Sequence, residues 1–116
     1  MNESRISVRY SKALFQSALD RNILDTINRD MVVIGEICTL PEIKELLTNP
    51  VIRPAKKAET LKDILGKDIN PLTLSFVDLV VKNGRERFFP SIARVFTHRT
   101  RKFKGVTESV LTTAVK

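Results

Sequence analysis

The chain has 116 residues, of which 42% are hydrophobic and 28% charged, so it is long enough for one domain whose core needs no disulfide or metal. A single cysteine, Cys38, excludes an internal disulfide, and no apolar run approaches the ~18 residues of a membrane span. The composition is that of a soluble protein, and the formal net charge of +7 leaves nucleic acid or an acidic surface open as partners.

Hydrophobic periodicity and helix end signals predict six helices. These cover about residues 4–19, 23–38, 39–47, 55–65, 72–83 and 88–104. Thr39 and Glu42 have the spacing of a capping box and predict the start of the third helix. Asn70 followed by Pro71 predicts the start of the fifth helix, and Gly84 its end. The chain is therefore predicted to be all-α, a compact six-helix bundle.

The last residues differ in composition from this bundle. After Gly105, residues 106–115 are rich in β-branched side chains and predict a strand, which cannot be stable without partner strands. We therefore expect an N-terminal bundle over residues 1–105 and, over residues 106–116, the start of a second, truncated domain.

Two of the predicted helices are apolar around too much of their circumference. At about 100° per residue, the apolar side chains of residues 6–19 cover an arc of roughly 240°, and those of residues 72–83 an arc of roughly 220°. A surface helix of a small domain needs an apolar stripe of about 100° or somewhat more. The sixth helix, with an arc of roughly 160°, is single-faced by comparison. The excess is either buried in a crowded core or kept for a partner.

If the two wide helices pack side by side, their spare faces form a groove of the type that receives an amphipathic helix. The predicted groove residues are Tyr10, Ala13, Leu14, Ser17, Phe76, Leu79, Val80 and Asn83. Tyr10 and Val80 are expected to face the partner, and Phe15 and Val77 to face the core. Leu14 and Phe76 lie on the boundary between these two roles.

The sequence carries no pattern typical of a catalytic, cofactor or metal site. His98 has no Asp, Glu or Cys at ligand spacing, Cys38 is expected to be a small core residue, and the four glycines are isolated rather than grouped in a phosphate loop. Residues 87–107 hold six Arg and Lys and no Asp or Glu, which predicts a solvated basic face. The alternative is a basic helical nucleic-acid-binding domain.

Four short segments resemble, in order and spacing, motifs of one family. Residues 9–15 (RYSKALF) are similar to the opening RYAKALF of the delta subunit of F-type ATP synthases, called the oligomycin-sensitivity-conferring protein in mitochondria. Residues 47–50 (LTNP), 76–85 (FVDLVVKNGR) and 89–92 (FPSI) resemble its L-x-N-P, F-x-x-L-L-x-x-N-G-R and L-P-x-I segments. Ser11 stands where alanine is usual in that family.

The resemblance implies a non-catalytic subunit of the peripheral stalk, which stops the catalytic head from turning with the rotor. It implies that a groove between helices 1 and 5 holds the N-terminal helix of an alpha subunit. It also implies that residues 106–116 begin a second, smaller α/β domain, truncated here, which engages the b subunits of the stalk. No cofactor, small-molecule substrate or direct membrane contact is expected. The absence of a transit peptide favours a bacterial protein, peripheral at the cytoplasmic face of the inner membrane.

Overall fold

A computed structural model describes the backbone of residues 4–115 and the side chains of residues 4–105. Over this range the chain forms six α-helices, and a short 3-10 helix, Glu86–Phe88, precedes the last of them. The α-helices are α1 Arg5–Asp20, α2 Leu24–Ile37, α3 Pro41–Thr48, α4 Pro54–Leu65, α5 Pro71–Lys82 and α6 Phe89–Val115. The predicted six-helix bundle is confirmed, and residues 4–115 contain no strand.

The helices begin where proline or a capping side chain satisfies the first turn. Pro41, Pro54 and Pro71 stand at the starts of α3, α4 and α5, where the missing proline N–H has no partner to lose. The Asn70 side chain accepts a hydrogen bond from the Leu72 backbone N–H at 2.8 Å, as its position before Pro71 predicts. These starts follow directly from the sequence.

The capping box predicted at Thr39 is wrong. The N-cap residue of α3 is Leu40, which makes no side-chain capping bond. The Thr39 hydroxyl instead donates to the Glu36 carbonyl oxygen at 2.7 Å, because the end of α2 leaves carbonyls without helical partners within its reach. Thr39 therefore closes α2 rather than opening α3.

Left-handed residues end α1 and α5 in the same way. Gly84 has φ of +72°, and the N–H groups of Gly84 and Arg85 donate to the Val81 and Val80 carbonyl oxygens, both at 2.9 Å. At the end of α1, Asn22 takes the same role with φ of +59°. These are Schellman caps, and they turn the chain sharply into the next element.

The core lies where α6 packs along α1 and α2, while α5 packs against α4 and α2. Phe89, Ile92 and Phe96 give α6 a fully buried stripe. Phe15 of α1 meets Phe96 edge-on, with ring centroids 5.9 Å apart. One side of α5 therefore packs against α4 and α2, and another side lies next to α1, where Phe76 contacts Tyr10.

Two buried polar ties fix the bundle around α5. Asp30 of α2 accepts hydrogen bonds at one carboxylate oxygen, Oδ2, from the Asn70 backbone N–H at 3.0 Å and the Thr73 hydroxyl at 2.7 Å. Lys57 of α4 pairs with Glu86 of the 3-10 helix, with Nζ and Oε2 2.7 Å apart, and both side chains are largely buried. Each tie joins elements far apart in sequence.

The strand predicted at residues 106–115 is wrong. The backbone there continues α6 as helix to Val115. Gly105, placed at the predicted domain boundary, is not among the positive-φ glycines and does not interrupt the helix. A helix satisfies its backbone hydrogen bonds locally, whereas a strand needs a partner, and β-branched residues lose only about 0.7 kcal/mol each in a helix. The proposed second domain remains a prediction, and Lys116 lies outside the described residues.

Candidate functional site

The first helix divides its wide apolar face between the core and the α5 side. Leu14, Phe15 and Ala18 are buried, and so are Ser7 and Ser11 on the same stripe. The Ser11 hydroxyl donates to the Val8 carbonyl oxygen at 3.1 Å, which explains how this small polar residue is tolerated in the core. The spare face of α1 that remains carries Tyr10, Ala13 and Ser17.

The fifth helix is divided in the same way. Its buried stripe is formed by Thr73, Phe76, Val77, Val80 and Val81. Leu72 is half-buried, Ser75 is exposed, and Leu79 keeps 48% of its surface accessible. The exposed Leu79 and the half-buried Leu72 are apolar side chains that the core does not cover, as the wide apolar arc of this helix predicts.

The two spare faces border one groove of about 180 Å³. Its walls and floor are formed by Tyr10, Ala13, Leu14 and Ser17 of α1 and by Leu72, Ser75, Phe76 and Leu79 of α5. Among these residues there is no carboxylate, ammonium or guanidinium group. The groove is therefore suited to an apolar surface rather than to a charged ligand.

Tyr10 links the two walls. Its ring meets Phe76 edge-on, with centroids 6.2 Å apart and planes at 71°. Its hydroxyl accepts a hydrogen bond from the Asn83 side-chain amide at 2.8 Å. These two contacts fix the tyrosine ring across the groove before any partner binds.

Six of the eight predicted groove residues line the cavity. Asn83 does not line it but holds Tyr10 in place. The prediction that Val80 faces the partner is wrong. Its side chain is 0% exposed because it points into the core beside Val77 and Val81. Leu14 and Phe76 are 3% and 6% exposed, so they form the floor of the groove and part of the core together.

Leu72 and Ser75 line the groove but were not predicted. The signal for Leu72 was available, since residues 72, 76 and 79 share one face of a helix. Ser75 is polar, and a count of apolar residues passes over it.

The remaining candidate residues take ordinary roles. Burial raises the pKa of the Cys38 thiol to about 11, which keeps it protonated and unreactive at neutral pH. His98 is exposed on α6. Within the described residues, no group of His, Cys, Asp and Glu side chains could hold a metal ion. No helix in the same part of the chain is long and apolar enough to cross a membrane.

Comparison with known proteins identifies the family. The family model described as "ATP synthase delta (OSCP) subunit" matches residues 6–116. The chain belongs to this family. The resemblance drawn from the four sequence segments is confirmed.

Members of the delta family from distant organisms align over nearly all of this chain. It is 36% identical over 106 residues to "ATP synthase subunit delta" of Carboxydothermus hydrogenoformans, covering 90% of this chain and 59% of that protein. It is 32% identical over 116 residues to the protein of the same name from Christiangramia forsetii, covering 99% and 62%. The bovine "ATP synthase peripheral stalk subunit OSCP, mitochondrial" is 28% identical over 110 residues, covering 94% and 52%. The chain thus spans about three fifths or less of the length of these relatives.

Proposed function

We propose that this chain is a non-catalytic peripheral-stalk subunit of an F-type ATP synthase and that the groove between α1 and α5 binds the N-terminal helix of an alpha subunit. Family membership supports the first part, since the bovine relative is named as a peripheral-stalk subunit. The shape and chemistry of the groove support the proposed binding of a helix, because the groove is open, largely apolar and uncharged. An amphipathic helix lays its apolar face into such a groove.

The spacing of the groove residues fits a helical occupant. On α1 they fall at positions 10, 13, 14 and 17, and on α5 at positions 72, 75, 76 and 79. Each set forms a ridge of one helix face at spacings of three and four residues. A third helix lying between these two ridges contacts both of them along about two turns.

The contacts of Tyr10 prepare the groove for binding. Because its ring is already fixed by Phe76 and Asn83, little side-chain freedom is lost when the partner docks. A stalk that resists torque needs a slowly dissociating contact, and buried apolar area at a preformed site favours a low dissociation rate. The proposed function is therefore mechanical and involves no reaction.

The wider assembly follows from the same resemblance. In this proposal the b subunits of the stalk bind a second domain, and the protein acts as a peripheral subunit at the cytoplasmic face of a bacterial inner membrane. Contact with the membrane is indirect, through the complex.

The structure weakens the alternative of a nucleic-acid-binding domain. At least three of the six basic side chains in residues 87–107 make contacts within the chain, and one of them is Arg87, whose guanidinium lies 5.2 Å from the centre of the Phe88 ring. Arg99 is half-buried, with its guanidinium 5.7 Å from the centre of the Phe15 ring, and Lys104 pairs with Asp25. These contacts hold part of the basic charge of this segment against the protein's own side chains rather than leaving it for a phosphate backbone.

The proposal is tested by titrating isotope-labelled chain with a synthetic peptide of the alpha-subunit N-terminus. We expect amide shifts concentrated on residues 10–17 and 72–79 and a dissociation constant well below about 1 mM. Ala13→Trp should block binding without loss of thermal stability, because Ala13 is exposed at the groove. Lys12→Trp is the matched control, since Lys12 is exposed, lies about 100° around the helix and does not line the groove. Shifts that avoid both helices contradict the proposal.

A further inference from the structure

A second depression lies on a different surface, between α2, α3 and α6. One part, of about 540 Å³, is bordered mainly by α2 and α6, and a neighbouring part of about 520 Å³ by α3 and the start of α6. The two parts adjoin at Lys44 and Pro90, and together we call them the α2/α6 trough. It shares no lining residue with the groove between α1 and α5.

The floor of the trough is apolar and shallow. Met31, Cys38 and Ala93 are buried beneath it. A Cβ atom added at Gly35 would lie 3.5 Å from the Ala93 Cβ, so the two helix backbones run close together there. Val32 borders the trough and keeps 42% of its surface exposed. The floor therefore offers apolar contact along the α2–α6 seam.

A row of arginines borders this floor. Arg87, Arg94 and Arg101 follow one another at intervals of seven residues, and all three are exposed and line the trough. Arg94 and Arg101 both belong to α6, so they lie on the same side of the helix about 10 Å apart, whereas Arg87 lies in the 3-10 helix before α6, at the α3 end of the trough. Lys44 adds a fourth cation, against two carboxylates, Glu36 and Glu45. The rim is thus basic on balance.

We propose that the α2/α6 trough binds an amphipathic helix that carries carboxylates at intervals of seven residues. Such a helix presents one carboxylate to each arginine while the apolar residues between them contact Val32 and the floor. The same pairing of charges beside an apolar seam sets partner choice in coiled coils. The spacing of about 10 Å between Arg94 and Arg101 matches two turns of such a helix.

The trough suits an acidic helix better than a nucleic acid. Its floor offers apolar surface that the apolar face of an amphipathic helix can cover and that a phosphate backbone does not use. It also differs from the uncharged groove between α1 and α5, so the two sites select partners of different chemistry.

The test uses a designed 16-residue helical peptide with glutamates every seven residues and leucines between them, titrated into the labelled full chain. We expect amide shifts at Val32, Gly35 and Thr97, and weaker binding as salt is raised. A second peptide with glutamine in place of each glutamate should bind at least about fivefold more weakly. Equal binding of the two peptides overturns the proposal, and so do shifts confined to residues 10–17 and 72–79.

Charge reversal supplies the matched pair of variants. Arg101→Glu should weaken binding of the acidic peptide about fivefold or more, since it places like charges together. Lys102→Glu makes the same change at the next residue, which is exposed but does not line the trough, and should have little effect. Equal losses in the two variants would show a general charge effect and overturn the site. A random DNA duplex that shifts the same amides more strongly than the peptide also overturns it, in favour of nucleic acid.

Discussion

Replacement of Asp30 by alanine should release the start of α5 and destabilise the whole bundle. The Asp30 side chain is 4% exposed, and its Oδ2 accepts from the Asn70 backbone N–H and the Thr73 hydroxyl. Both donors lie at the first turn of α5, where the positive end of the helix dipole faces the carboxylate. The substitution leaves both donors buried or half-buried without this partner.

The size of the effect follows from these two bonds. A hydrogen bond to a charged group contributes about 1.5–3 kcal/mol, so we expect Asp30→Ala to lower the free energy of unfolding by about 3–5 kcal/mol. That is a large part of the ~5–15 kcal/mol typical of a domain. Asp30→Asn can keep an accepting oxygen at the position of Oδ2 but loses the charge and places an NH2 group at the position of Oδ1, so it should lose less, about 1–2 kcal/mol.

The assay is urea unfolding followed by far-ultraviolet circular dichroism, with unchanged slope against urea as evidence of a pure stability change. Asp25→Ala is the control on the same helix, because the Asp25 side chain is 71% exposed and its pair with Lys104 should contribute at most about 1 kcal/mol. If Asp30→Ala loses less than about 1 kcal/mol, or no more than Asp25→Ala, the carboxylate does not hold α5 and the reasoning is refuted.

Three further predictions concern Lys57, Cys38 and Gly84. Lys57→Met should lower the free energy of unfolding, measured in urea, by about 3–4 kcal/mol, because it leaves the Glu86 carboxylate buried without its cation. Adding Glu86→Leu should recover most of this loss, and a double variant with no recovery would contradict an ion-pair role. At pH 8 the Cys38 thiol, with its pKa raised by burial to about 11, should react with an aromatic disulfide reagent only after unfolding, so prompt reaction of the folded chain would contradict its burial. Gly84→Ala should lower the free energy of unfolding in the same assay by about 1–2 kcal/mol, because alanine is strained at the positive φ of this position while no heavy atom lies within 4 Å of an added Cβ. A loss above about 3 kcal/mol would instead indicate a steric clash.

The sequence predicts most helix positions because their end signals are local. The prolines that begin α3, α4 and α5 and the glycines after α4 and α5 act within a few residues, whatever the rest of the chain does. The groove is predictable for a similar reason, since an arc of apolar residues too wide for one contact can be read from periodicity alone. The family motifs then supplied the pairing of α1 with α5.

What the sequence does not predict depends on three-dimensional surroundings. Val80 and Leu79 are adjacent apolar residues, and only the packing of α5 decides that the first is buried and the second exposed. Ser7 and Ser11 are core residues because they bond within their own helix, which an apolar count does not register. The helical course of residues 106–115 runs against their β-propensity, which reflects packing on neighbouring strands more than an intrinsic backbone preference.

Cross-linking to an intact catalytic head tests the central claim, that the groove between α1 and α5 holds an alpha-subunit helix. A Ser75→Cys variant places an exposed thiol in the groove, and the native Cys38 is buried and does not compete for the label. With a photoreactive maleimide attached, this variant should cross-link to the N-terminal helix of one alpha subunit, while Lys12→Cys, outside the groove, should not. A product with a beta subunit, with another part of alpha, or with equal yield from Lys12→Cys would contradict the account.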